Sequence, residues 1–148
     1  LSERPRYIFI GFKDPVSAST TNNSKFIQKV GTNQIKSIRI QLNSTYYPES
    51  PMVFDSTKNH QMQPYQSYVQ MCKVFGVVPQ LNYPDFKDIY SIFCFDVSAQ
   101  DPSLASNGCD VTIHITKDTA FKASCYCVIL KEMRSFLNVK DGKMHMIS

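Results

Sequence analysis

Asp96 is the residue whose setting most suggests chemistry. It closes the run "SIFCFDV" (91–97), where strict alternation puts it on one face with Ile92 and Cys94 while Phe93, Phe95 and Val97 share the other. A carboxylate among apolar neighbours must be paired or hydrogen-bonded, and one so placed can serve as an acid with a raised pKa. No second acid, base or nucleophile lies nearby in the sequence, however. The better reading is architectural: a strand exit whose carboxylate accepts backbone N–H groups from the following "SAQD" turn.

The remaining reactive side chains are scattered. His60, His114 and His145 fall in different segments, and neither H-E-x-x-H nor C-x-x-C occurs, so the strong zinc signatures are absent. His114 alternates outward from a strand and reads as a solvated histidine. Cys125 and Cys127 share one strand face, but two thiols do not complete a metal site, and they read as small core-filling residues. There is no G-x-S-x-G elbow and no phosphate-binding loop, and five glycines are too few for a Gly-rich cradle. Tyr46, Tyr47, Tyr65, Tyr68 and Tyr83 could stack on bases or sugars. Core-edge or subunit contacts are the commoner use of such tyrosines. The expectation is a protein that is not an enzyme, with no catalytic, cofactor-binding or metal-ligating residues and no cofactor.

The elements that would position these residues are mostly strands. In "CDVTIHITK", Val111, Ile113 and Ile115 point one way and Thr112, His114 and Thr116 the other. "SIRIQLN" repeats the pattern with Ile38, Ile40 and Leu42 inward. "YIFIGF" (7–12) and "SCYCVIL" (124–130) are denser, as expected of strands covered on both faces. Short strands are predicted around Phe136–Val139 and Met144–Ile147, joined by "KDGK", whose Asp-Gly suits a tight hairpin. One segment departs from this period. Tyr65, Tyr68, Val69, Cys72 and Phe75 make a helical stripe, with Pro64 in its first turn and Gly76 at its end. "KDPVSASTTNNSK" (13–25) reads as a long exposed loop, and "YYPESP" and "VVPQLNYPD" as proline-bearing turns. The sum is all-β: a sandwich or barrel of about eight short antiparallel strands with one inserted helix at about residues 64–75.

Composition narrows the class. The 148 residues fit one domain, and 16 Lys+Arg against 12 Asp+Glu give a scattered net charge of +4 with no basic run, so no dedicated nucleic-acid surface is expected. No segment approaches the ~18–20 apolar residues of a membrane span. The opening "LSERPRYIFI" lacks the zones of a signal peptide and starts with Leu, which suggests a piece of something longer. Five cysteines (Cys72, Cys94, Cys109, Cys125, Cys127), odd in number and irregular in spacing, favour reduced thiols in an intracellular setting. The sequons at Asn22 and Asn43 then carry little weight.

A series of segments, taken in order, resembles the C-terminal part of the double-jelly-roll major capsid proteins of Polinton/Maverick elements and adintovirus-like viruses. They are "ERPRYIFIGFKD" (3–14), "LNSTYYPE" (42–49), "YQSYVQMCKVFG" (65–76), "IYSIFCFDVSAQD" (89–101), "CDVTIHI" (109–115), "SCYCVILKEMR" (124–134) and "DGKMHMI" (141–147). None is a catalytic motif; the specificity lies in their order and spacing. Lys13-Asp14 and "FKASC" depart from the family pattern at loop level. The resemblance implies a jelly roll over residues 1–148, the C-terminal one of two in a subunit that forms homotrimeric, pseudo-hexameric capsomers of an icosahedral shell. It further implies neighbouring capsid subunits and penton-type or minor capsid proteins as partners, a place in the virion, and no sequence-specific nucleic acid or membrane span. Loops 13–25 and 98–108 would face neighbours or the shell exterior. A charged residue at Ile113 is expected to abolish folding. Two readings compete: a domesticated β-sandwich binding module, and a cupin-like enzyme, against which the scattered histidines argue.

Overall fold

The computed structural model describes residues 4–14, 25–27, 29–30, 33–55, 62–100, 108–132, 136–140 and 143–147. Two antiparallel sheets face one another. In the first, β1 (Pro5–Lys13) lies between β5 (Ile92–Asp96) and β7 (Ser124–Lys131). In the second, β3 (Asn33–Leu42) lies between β4 (Thr45–Val53) and β6 (Val111–Lys117), and the two-residue β2 (Lys29–Val30) pairs with the start of β3. The alternation read from the sequence is the alternation observed. Ile8, Ile10 and Phe12 of β1 meet Ile35, Ile38, Ile40 and Leu42 of β3, with Phe93, Phe95 and Val97, in one core. Each such side chain contributes about 1.5–3 kcal/mol when fully buried. Phe93 stacks on Phe54 with ring centroids 5.2 Å apart and meets the edge of Phe12 at 5.9 Å.

The predicted helix forms as α1 (Met62–Val74), starting slightly earlier than expected. Gly76 takes φ of 66° just past its end and donates its N–H to the Lys73 carbonyl at 3.1 Å, a conformation that suits glycine. A second helix was not anticipated. α2 (Tyr83–Asp88) occupies part of the stretch read as a turn; Asn82 caps it by accepting the Asp85 N–H at 2.9 Å, and Pro84 lies in its first turn. With only six residues it shows no hydrophobic period to read. Phe86, fully buried, packs beneath Tyr65 and Tyr68 at 5.4 and 5.7 Å, so these tyrosines belong to the packing between the helices.

β4 also exceeds its sequence signal, because two prolines fall inside it. Ile40 pairs with Tyr47 and Ile38 with Met52, so four residues, Pro48–Pro51, stand opposite Arg39 alone. This wide bulge places both prolines where no ladder N–H is required. β8 (Phe136–Lys140) and β9 (Lys143–Ile147) form the predicted hairpin with Lys140 opposite Lys143. The Asp-Gly turn itself, most of loop 13–25, residues 101–107 of loop 98–108, and His60 lie outside the described residues.

Candidate interaction surface

The two strands flanking β1 have similar composition and opposite surroundings. β5 is buried on both faces: Phe93 and Phe95 point into the sandwich, and Cys94 lies on the side covered by α1. β7 is exposed along nearly its whole length. This corrects two expectations, that "SCYCVIL" is covered on both faces and that Cys125 and Cys127 fill the core. Both thiols are exposed.

Register shows what they should face. Cys125, Cys127 and Ile129 stand beside Phe12, Ile10 and Ile8, whose side chains are in the core. On the opposing sheet, Val111, Ile113 and Ile115 stand beside Leu42, Ile40 and Ile38, all three fully buried. Yet Ile113 is only half-buried and Ile115 is 37% exposed. The inward faces of β6 and β7 therefore form an apolar seam along one side of the sandwich. Phe12, Ile115, Phe121, Ala123 and Cys125 line a cavity of about 430 Å³ at one end of it. Partial desolvation raises both exposed thiols above their ordinary pKa.

The outer face of β7 extends the apolar surface. Tyr126, Val128 and Leu130 are 53%, 58% and 39% exposed and stand beside Gly11, Phe9 and Tyr7. The Phe75 ring leans on Tyr7 at 5.1 Å and on Phe9 at 6.2 Å, and exposed Val77 and Val78 follow it in the chain. Lys13 caps this face, its ammonium 5.3 Å from the ring centres of both Phe26 and Tyr126. Phe26 reaches that position because residue 11 is glycine; a Cβ there would lie 2.2 Å from the Phe26 ring. Among the described residues this is a contiguous exposed apolar surface, larger than the singly scattered apolar residues usual on a protein's exterior.

The residues singled out for chemistry are not brought together. Asp96 is exposed at the end of β5 and accepts the Ser98 N–H at 2.9 Å, the strand-exit role read from the sequence. Behind it, buried Gln100 bonds to the carbonyls of Pro5 and Val97, and the Arg4 guanidinium donates to the Gln100 carbonyl, tying this corner to the start of β1. His114 is not simply solvated: its Nε2 lies 2.7 Å from Gln41 Oε1, and its ring meets Tyr46 at 5.5 Å, while the Arg39 guanidinium lies over the Tyr46 ring, 3.8 Å from its centre. The side chain of His145 lies outside the described residues. Among the described residues no three His, Cys, Asp or Glu side chains gather into a metal-binding group. A groove of about 690 Å³ runs between α1 and the β4–β5 side, lined by Tyr47, Met52, Tyr65, Val69 and Cys94 with Asp96 at its end. The sequence reading missed both this groove and the seam, because each is made by elements distant in the chain: α1 against β4 and β5 in one, β6 and β7 in the other.

Two facing antiparallel sheets with a helix in a crossover define a jelly-roll β-sandwich. The chain belongs to the double jelly roll-like domain family, whose model matches residues 1–134. No curated protein and no solved structure gives a significant match.

Proposed function

We propose that this chain is a structural, non-catalytic domain of a viral capsid (hexon-type) protein, of the kind encoded by Polinton/Maverick elements and adintovirus-like viruses. Its working chemistry is surface burial. Subunits associate as trimeric, pseudo-hexameric capsomers, and these meet neighbouring capsid subunits and penton-type or minor capsid proteins in an icosahedral shell. The observation that carries this reading is the exposed apolar face of β7 beside Phe75, in a chain of the double jelly roll-like family. An enzyme of this size has no need to leave Tyr126, Val128 and Leu130 wet, whereas an assembling subunit buries such a face against its neighbours. Threefold closure requires heterologous contacts, and the different faces offered by β7 and by the α1 groove supply unlike surfaces. No described helix is long and apolar enough to cross a membrane.

The test is solution mass of this chain by light scattering over a concentration series. A discrete trimer is expected; monomers throughout would remove the capsomer reading. The α1 groove favours a second reading, a domesticated sandwich that binds a partner there. It predicts a monomer whose ligand binding is lost when the groove is filled, for example by Val69→Trp.

A further inference from the structure

We infer that the outer face of the β3–β4–β6 sheet holds a binding site for a carboxylate, the acidic side chain of a partner protein, with Arg39 as the group that grips it. Ile38, Ile40 and Leu42 of β3 point into the core, so Arg39 and Gln41 between them point out. Across the ladders His114 stands beside Arg39, and Tyr46 beside Gln41. All four side chains therefore share one polar face, each of them half-buried. On the β4 side no single residue faces Arg39, because Pro48–Pro51 detour around it.

Two features fit Arg39 for this task. The first is that it is held in place. Gln41 donates its Nε2 to the Asn43 carbonyl at 2.8 Å, which leaves its Oε1 to accept from His114 Nε2 at 2.7 Å. The imidazole so fixed meets the Tyr46 ring at 5.5 Å, and the Arg39 guanidinium lies over that ring, 3.8 Å from its centre. The second is that the cation has no anion. Arg6 pairs with Glu132, and Arg4 donates to the Gln100 carbonyl. Among the described residues Arg39 makes neither a hydrogen bond nor an ion pair, and Glu49 in the facing bulge does not reach it. All five N–H groups of a guanidinium lie in its own plane, so a ring beneath the cation leaves that edge available. The edge matches the two oxygens of a carboxylate through parallel, charge-assisted bonds. Sites for small acids are concave, whereas Arg39 lines neither the α1 groove nor the cavity of the seam. An open strand face suits an acid carried on a larger surface, and a net charge of +4 favours acidic partners.

The experiment is an NMR titration of the isotopically labelled 148-residue chain, read at the Arg39 Nε–H and the His114 ring. Acetyl-Gly-Glu-Gly-amide should shift both signals. Acetyl-Gly-Gln-Gly-amide, the same peptide without the carboxylate, should shift neither. Arg39→Lys keeps the charge but loses the fork, and should bind the glutamate peptide about tenfold more weakly. Arg39→Met should leave the His114 ring unmoved by it. Tyr46 acts as a positioning residue: Tyr46→Phe should bind as the parent does, and Tyr46→Leu more weakly. Absence of any shift overturns the inference, as do equal shifts with both peptides or a His114 shift that survives Arg39→Met. Inorganic phosphate binding more tightly than the glutamate peptide overturns it too. Should Arg39→Met fail to fold, Arg39→Lys binding as tightly as the parent is the overturning result. Peptide binding by a chain that stays monomeric would uphold this inference and remove the capsomer reading, so the two fail separately.

Discussion

β5 and β7 flank the same strand, are about equally apolar, and differ completely in exposure. Phe93 and Phe95 are at most 1% exposed, whereas Val128 is 58% exposed. Propensity makes both of them strands; what stands over each decides how much it stabilises. β5 has the opposing sheet on one face and α1 on the other, so it anchors the fold. β7 is held by its ladder to β1 and by the Arg6–Glu132 ion pair at 3.3 Å, and it offers its side chains outward. One side of the sandwich is packed on both faces and the other, among the described residues, is left open.

The sharpest way to break this contrast is a pair of truncations. Phe93→Ala should cost about 3–5 kcal/mol, the range for a large aromatic removed from a packed core. Val128→Ala should stay within about 0.5 kcal/mol, as for an exposed site. Urea unfolding of both variants reads the difference, and equal midpoints would dissolve the distinction between the strands. The charge once expected to be fatal at Ile113 is better tested as Ile40→Asp, since Ile40 is fully buried and Ile113 is not. Loss of cooperative unfolding is expected there.

Gly11→Ala tests the packing of Phe26 over β1. The added methyl displaces the ring or bends the strand, and overpacking of this kind costs about 1–3 kcal/mol. A variant as stable as the parent would show that Phe26 packs elsewhere.

Thiol chemistry sharpens the comparison further. In the isolated 148-residue chain, Cys125 and Cys127 should alkylate in the native state, while Cys94, pushed up to about 12 by burial, should react only on unfolding. Because desolvation raises the two exposed thiols as well, their rates should keep climbing past pH 9.0, their ordinary value, rather than level off there. Peptide mass mapping after timed labelling decides both points.

The smallest effect belongs to the Lys36–Asp118 pair, 2.7 Å apart beside the start of β3. The hydrogen bond to Lys36 is the main cause holding the Asp118 carboxyl below its ordinary 3.8, and the same bond raises Lys36 above 10.5. Asp118 contributes stability above the unfolded carboxylate value, lost as pH falls through its lowered pKa. Lys36 contributes below the unfolded lysine value, lost as pH rises through its raised one. Between those limits the pair should be pH-independent. Lys36→Met should lower the melting temperature only slightly, and the loss should fade in strong salt because Lys36 is exposed and Asp118 only partly covered.

The sequence was most legible where one residue type implied one environment. Ile38, Ile40 and Leu42 alternate with polar residues, and the sheet follows them. Asp96 ends an apolar run, and its carboxylate serves the turn beyond. β4 was hidden by Pro48 and Pro51, which argue against a strand unless a bulge absorbs them. α2 was hidden by its length, though Asn82, Pro84 and Asp85 already spelled a helix start. The exposure of β7 could not be read at all. Apolar composition reports what a strand can bury, and only the arrangement of other elements reports whether anything arrives to bury it.

The bulge in β4 has a consequence for how such a protein can vary. Four residues already detour around Arg39, with Glu49 and Ser50 in solvent, while Tyr47 and Met52 on either side keep their pairing with β3. Length can change inside that detour without sliding the ladder, because the register is fixed independently at both of its feet. It is therefore the natural graft point of the molecule. A foreign peptide spliced between Glu49 and Ser50 would be displayed on a scaffold that does not register its presence.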